Sequence, residues 1–206
     1  MNIIDIGANF GIYSFEASSL ILPNGRIFAF EPEPSTHAAL KNKIIKLGIS
    51  NITLYSKALS NKKGSQKLYF DKLNIGGHSL SEINPYKSSS YHEIKTTTLD
   101  DVFSNIKINL IKIDTQGAEG LVMAGGLELL KRDKPPIFLE FWPHGMDEFK
   151  IKSSDLLDIF KDIGYKILVI DKIKRITYEV NRETLYELCD SERNSNDFVD
   201  VLLKVT

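Results

Sequence analysis

The sequence predicts an open α/β sheet with helices on both faces, and three observations carry that prediction. Short apolar runs bounded by turn residues alternate with segments of helical spacing, the pattern of parallel strands buried on both sides. An acid sits beside the end of the first run, just ahead of a glycine turn, in Asp5-Ile6-Gly7-Ala8-Asn9-Phe10-Gly11. A second acid closes the next run twenty residues past Gly11, in Phe30-Glu31-Pro32.

Each element follows from local chemistry. Asn2 to Ile6 reads as a buried strand, and Phe10 to Leu22 as a helix with Ile12, Phe15, Ser19 and Leu22 on its inner face. Pro23-Asn24-Gly25 ends that helix, Arg26 to Phe30 is the second strand, and the prolines of Glu31-Pro32-Glu33-Pro34 stop it. Ser35 is read as the cap of a helix carrying Leu40, Ile44 and Leu47, with Gly48 as its stop. Ile52 to Lys57 gives a third strand. Gln66 to Phe70 and His92 to Thr97 alternate in polarity and pair as an inserted hairpin, and the long small-residue stretch between them, from Asn74 to Ser90, is expected to form a lid.

Thr98-Leu99-Asp100-Asp101 opens a short helix by a capping box. Asn109 to Ile113 is a fourth buried strand ending in Asp114, and a helix interrupted by Gly125-Gly126 runs from Glu119 until Pro135-Pro136. Ile137 to Phe141 is the fifth strand. Ser154 caps a helix whose Leu156, Ile159, Phe160 and Ile163 form one stripe, and Tyr165 to Ile170 and Phe198 to Val205 complete seven strands.

At 206 residues, 42% hydrophobic and 26% charged, the chain is expected to form one globular domain over 1–206. Lysine plus arginine (26) nearly cancels aspartate plus glutamate (27), which argues against nucleic acid or a membrane surface as main partner. The single cysteine, Cys189, fits a reducing compartment, and with no long apolar segment the expectation is cytoplasmic. The chain enters its first strand at once, so a covering segment ahead of that strand is expected to be missing.

The turn after the first strand is built to admit a cofactor: glycine lets the ligand approach bare backbone, and the new helix presents N–H groups. A dinucleotide fingerprint, Gly-x-Gly-x-x-Gly, is not present, and Asn9 stands where a second glycine would be in the Gly-x-Gly-x-Gly spacing. Asp5 would repel a pyrophosphate but suits a cationic amino group, of the kind the methionine end of S-adenosylmethionine presents.

The residues Asp5 to Gly11, Phe30-Glu31-Pro32 and Ile111-Lys112-Ile113-Asp114 with Gly117 and Glu119, followed by Gly125-Gly126 and Leu139-Glu140, resemble the FkbM-type S-adenosylmethionine-dependent methyltransferases. The resemblance runs from the first strand to about Gly164. It implies the class I methyltransferase fold, a Rossmann-like seven-stranded sheet whose last strand is antiparallel and inserted between earlier ones. It implies O-methylation of a small molecule or a sugar hydroxyl; the alternative is an inactive S-adenosylmethionine-binding protein. A nicotinamide-dependent oxidoreductase is a third reading, which the incomplete glycine pattern opposes. The family often carries an acid where Gln116 stands, and no catalytic role is placed there.

The expected cofactor-binding residues are Asp5, Gly7, Ala8, Asn9, Gly11, Glu31, Pro32, Ala58 and Asp114. Asp5 is assigned to the methionine portion, Glu31 to the ribose diol, whose two hydroxyls match a carboxylate, and Ala58 to the adenine side. Asp114 ends the fourth strand at the carboxyl edge of the sheet, where such folds place ligands. Methyl transfer needs alignment, and a base only if the acceptor must lose a proton; the candidates are Asp114, Glu140, Glu119 and His78. Asp114 and Glu140 on neighbouring strands are expected to face one cleft, where crowding would raise one of them. With no histidine cluster nearby, no metal is assigned. Trp142 and His144 are read as acceptor-side residues.

Overall fold

A computed structural model describes residues 1–71, 87–147, 149–190 and 198–205. The chain runs β1 (Asn2–Ile6), α1 (Ile12–Leu20), β2 (Arg26–Phe30), α2 (Pro34–Lys46), β3 (Ile52–Tyr55), β4 (Lys57–Leu59), β5 (Gly64–Asp71) and β6 (Lys87–Thr97). It continues with α3 (Leu99–Phe103), β7 (Leu110–Ile113), α4 (Glu119–Ala124), α5 (Leu127–Asp133), β8 (Ile137–Phe141) and α6 (Pro143–Asp147). The last elements are α7 (Ser153–Ile163), β9 (Tyr165–Asp171), β10 (Ile176–Val180), α8 (Arg182–Cys189) and β11 (Val199–Val205).

Among the described residues the large sheet has the order β10-β9-β11-β8-β7-β1-β2-β3. Strands β3, β2, β1, β7 and β8 pair in parallel, and β11 runs antiparallel between β8 and β9. This is the mostly parallel sheet with an inserted antiparallel last strand. One strand lies beyond the seven: β10 folds back on β9 as an antiparallel edge, turned at Asp171, whose Oδ1 accepts the Ile173 and Lys174 N–H groups. A second sheet, β4-β6-β5, contains the expected hairpin, β5 against β6. The third strand is shorter than expected because the chain breaks at Ser56, and β4 leaves to pair with β6. The expected lid between the hairpin strands falls largely on 72–86, outside the described residues.

The strands bury both faces, as their near-continuous apolar runs require. On one face Ile4, Ile6, Phe30, Ile113 and Leu139 pack with Phe103, Met123 and Phe160 from the helices. On the other, Ile3, Ile27 and Ala29 meet Leu40 and Ile44 of α2 and Phe15 of α1. Phe103 stands edge-on to Phe28 at 5.1 Å and to Phe30 at 6.1 Å.

Helix α1 corrects the sequence reading. Ile12 (66%) and Leu22 (59%) are exposed, while Ser14 and Ser18 are buried. The reason is the partner surface: Ser14 Oγ donates to Asp5 Oδ2 at 2.6 Å and Ser18 Oγ to Asn51 Oδ1 at 2.6 Å, so the buried stripe is polar and hydrophobic spacing misses it. On α2 the cap is Glu33, whose carboxylate accepts the Thr36 N–H at 2.6 Å, and Ser35 lies inside the helix. Thr98 caps α3 as expected, accepting the Asp101 N–H at 3.0 Å. Helix α7 starts at Ser153 with no side-chain cap from its N-cap residue Lys152, so Ser154 does not play that part. Among the described residues no helix is long and apolar enough to cross a membrane.

Candidate active site

The β1–α1 turn is held by backbone contacts that leave no room for a side chain. Gly7 has φ 73°, and a Cβ there would lie 1.9 Å from the Asp114 carbonyl oxygen. Its N–H and that of Ala8 both donate to the Phe30 carbonyl, at 3.1 and 2.9 Å, which ties the turn to the end of β2. Asn9 and Gly11 also take positive φ, 50° and 79°. Glu31 completes the lock: Oε2 accepts the Asn9 N–H at 2.8 Å and Oε1 accepts the Glu33 N–H at 2.9 Å. Burial pushes the Glu31 carboxyl above its ordinary range, while the N–H groups of Glu33 and Asn9 pull it back.

This turn forms one wall of a cleft at the carboxyl edge of the large sheet. The lining includes Gly7, Asn9, Glu31 and Pro32, then Lys57, Ala58, Leu59 and Leu68 of the small sheet, and Asp114, Thr115 and Gln116 after β7. Six of the nine expected cofactor residues are therefore at the cleft: Gly7, Asn9, Glu31, Pro32, Ala58 and Asp114. Ala8 and Gly11 shape the turn from behind. Asp5 differs from expectation: it is 2% exposed, accepts from Ser14 and lies 3.5 Å from Lys112 Nζ, so its charge is paired inside the protein and not presented to a ligand. Thr36, Leu68 and Thr115 line the cleft without any sequence signal that singles them out.

Beyond the cleft the sheet edge carries an acidic ladder. Asp114 follows Ile113, the last residue of β7, which pairs with Leu139, so Asp114 stands beside Glu140 of β8. Asp200 of β11 is directly opposite Glu140. Burial, with the charges of Asp114, Asp200 and Glu119 around it, pushes the Glu140 carboxyl up to about 7. Lys172 forms an ion pair with Asp200, and Tyr13 of α1 packs 6.2 Å from Phe138, one row in from the edge. Among the described residues, no group of three His, Cys, Asp or Glu converges as metal ligands do.

Two other proposed bases fare differently. Glu119 is 2% exposed and turned under the loop after β7: its Oε1 accepts the Thr115 N–H at 2.9 Å, the Thr115 hydroxyl at 3.0 Å and the Gly117 N–H at 3.3 Å. A carboxylate so enclosed braces the loop. His78 lies outside the described residues. Trp142 packs against Gly145, where a Cβ would lie 2.0 Å from its ring, and His144 is exposed at the start of α6.

Residues 5–167 match the methyltransferase FkbM domain. The chain belongs to the FkbM methyltransferase family. Among curated proteins, the 2-O-methyltransferase NoeI of Sinorhizobium fredii is 28% identical over 175 residues, covering 76% of this chain and 70% of that protein. Among solved structures, a methyltransferase FkbM from Methylobacillus flagellatus superposes on 98% of the chain with a TM-score of 0.60 at 16% identity, and the chain spans 43% of that protein's length. A Streptococcus mutans methyltransferase solved with SAH covers 98% of this chain and is covered for 87% of its own, with a TM-score of 0.52 at 10% identity. At these identities the structures show the shared fold, a class I methyltransferase sheet.

Within the FkbM domain, position 116 now has a physical place. Gln116 takes φ 54° and donates from Nε2 to Asp114 Oδ1 at 2.9 Å, so the amide that replaces the family's frequent acid orients the neighbouring carboxylate. Gly117, at φ 99°, lets the loop pass the Gly145 carbonyl, from which a Cβ would be 2.3 Å.

Proposed function

We propose that the chain is an S-adenosylmethionine-dependent O-methyltransferase acting on a hydroxyl of a small molecule or sugar. The observation that carries this reading is the cleft itself, which brings the Gly7 turn, Glu31 and Asp114 together in its lining, in a chain of the FkbM family. The residues fit that cofactor: Glu31 sits in the cleft with lone pairs beyond its two backbone partners for a ribose diol, Gly7 offers bare backbone, and Ala58, Leu59 and Leu68 give an apolar side for a base. When bound, the cofactor supplies an electrophilic methyl group on a sulfonium.

The protein's own part is alignment and proton removal. Asp114, fixed by Gln116, marks the border between cofactor cleft and acidic ladder. Glu140 is the base of this reading: its raised carboxyl takes the hydroxyl proton near neutral pH, and Asp200 opposite and Asp114 beside it keep it basic enough. The relative named a 2-O-methyltransferase supports a hydroxyl acceptor.

The test is calorimetric titration with S-adenosylhomocysteine for wild type and Glu31→Ala, followed by transfer of labelled methyl from S-adenosylmethionine to a panel of hydroxylated acceptors. Tight binding that Glu31→Ala weakens about 10-fold or more, as loss of a charged hydrogen-bonding group predicts, with label in the acceptor, supports the reading. Unchanged affinity removes the ribose assignment, and binding without transfer to any acceptor favours a cofactor-binding protein.

A further inference from the structure

Lys112 is the one charged residue of the Ile111-Lys112-Ile113-Asp114 segment besides Asp114, and it sits between two core isoleucines. It lies in β7 and points to the face that carries Asp5 and Phe138, with 9% of its side chain exposed. Its ammonium donates to the Gly7 carbonyl at 3.1 Å, stands 3.5 Å from Asp5 Oδ1 and 3.7 Å from Asp114 Oδ2, and lies 5.1 Å from the centre of the Tyr13 ring. Strand β1, the glycine turn, the end of β7 and helix α1 thus meet at a single charge.

We propose that Lys112 is a positioning residue of the methyl-transfer site, its ammonium holding the Asp114 carboxylate against the glycine turn. The inference rests on reading the cleft as that site. A buried acid such as Asp5 needs one counter-charge, and a lysine facing Asp5 alone would meet that need. This lysine is shared with a second acid that is 37% exposed and lines the cleft. The other oxygen of Asp114 is taken by Gln116 at 2.9 Å. With Lys112 on one oxygen and Gln116 on the other, the carboxylate is clamped between the turn and the 115–117 loop, and its direction no longer depends on ligand binding.

Lys112→Met alone is confounded, because it leaves Asp5 buried without its cation. The decisive variant is Lys112→Met combined with Asp5→Asn, which removes both charges of the buried pair and keeps its volume. It is compared with wild type by thermal unfolding, by titration with S-adenosylhomocysteine, by methyl transfer and by a crystal structure. The expected result is near-wild-type unfolding and S-adenosylhomocysteine affinity with kcat reduced about 10- to 100-fold, the loss that follows when a group at the reacting centre is misplaced. Recovery of kcat to within about threefold of wild type would show that Lys112 serves only to neutralise Asp5, and overturns the proposal. Loss of S-adenosylhomocysteine affinity in step with kcat also overturns it, since the turn and not Asp114 would then be what Lys112 holds. If wild type itself transfers no methyl group, the functional reading fails separately, and the crystal structure judges Lys112: an Asp114 carboxylate swung away from Gly7 in the double variant supports the proposal, and an unmoved one refutes it.

Discussion

Glu140→Gln should make the protein more stable at alkaline pH and leave it nearly unchanged in acid. The Glu140 carboxyl rises from 4.5 to about 7 in the fold, through burial first and then through the charges of Asp114, Asp200 and Glu119, with Lys112 acting the other way. The folded protein therefore holds a proton between about pH 4.5 and about pH 7 that the unfolded chain releases, so stability is fully present below that window and falls as pH rises through it. At about 1.36 kcal/mol per unit, the ceiling on this loss is roughly 3 kcal/mol. Glu140 keeps some contact with solvent, and screening reduces the figure to about 1–2 kcal/mol. Glutamine keeps the shape without the charge, so the variant avoids the loss. The assay is urea unfolding of both proteins from about pH 4.5 to about pH 8, where the gap in free energy should widen steadily from about pH 4.5 and level off above about pH 7. A gap that stays constant with pH would refute the burial and charge argument for Glu140, and with it the basis for naming it the base.

Other outcomes follow from the same geometry. If Glu140 takes the acceptor proton, methyl transfer should rise through pH 7 in wild type, and Asp200→Asn, which removes the charge directly opposite, should move that rise to lower pH in a rate profile. Gly7→Ala puts a methyl group 1.9 Å from the Asp114 carbonyl at a φ of 73°, so S-adenosylhomocysteine titration should show binding lost along with stability, by well over about 1 kcal/mol. Phe103→Ala removes a fully buried ring that touches Phe28 and Phe30 and should cost roughly 3–5 kcal/mol in denaturant unfolding. Thr98→Ala deletes the α3 cap and should cost about 1 kcal/mol in the same assay.

Much of this fold is legible in the sequence because parallel strands buried on both sides announce themselves as apolar runs, and β1, β2, β7 and β8 do so. The cleft is legible for a related reason: Gly7, Glu31 and Asp114 each end or follow such a run. What escapes is whatever depends on a partner far along the chain. Ser14 and Ser18 are buried because Asp5 and Asn51 receive their hydroxyls, and nothing in the spacing of α1 says so. Strand β10 is an exposed edge, Ile176 to Glu179 all facing solvent, so no core demands its pattern. Likewise no spacing announces that Lys112 stands 3.5 Å from Asp5 across a strand pair, or that Glu119 lies beneath its own loop.

The insertion of β11 between β8 and β9 has a consequence for how the chain is made. Strands emerge from the ribosome in order, and β9 with β10 can reach its place in the sheet only through β11, which is made after both. Until residues 199–205 arrive, β8 and β9 each present an unpaired edge, the kind of surface on which nascent chains stick to one another. Losing residues 199–205 would thus open the middle of the sheet, not trim its border.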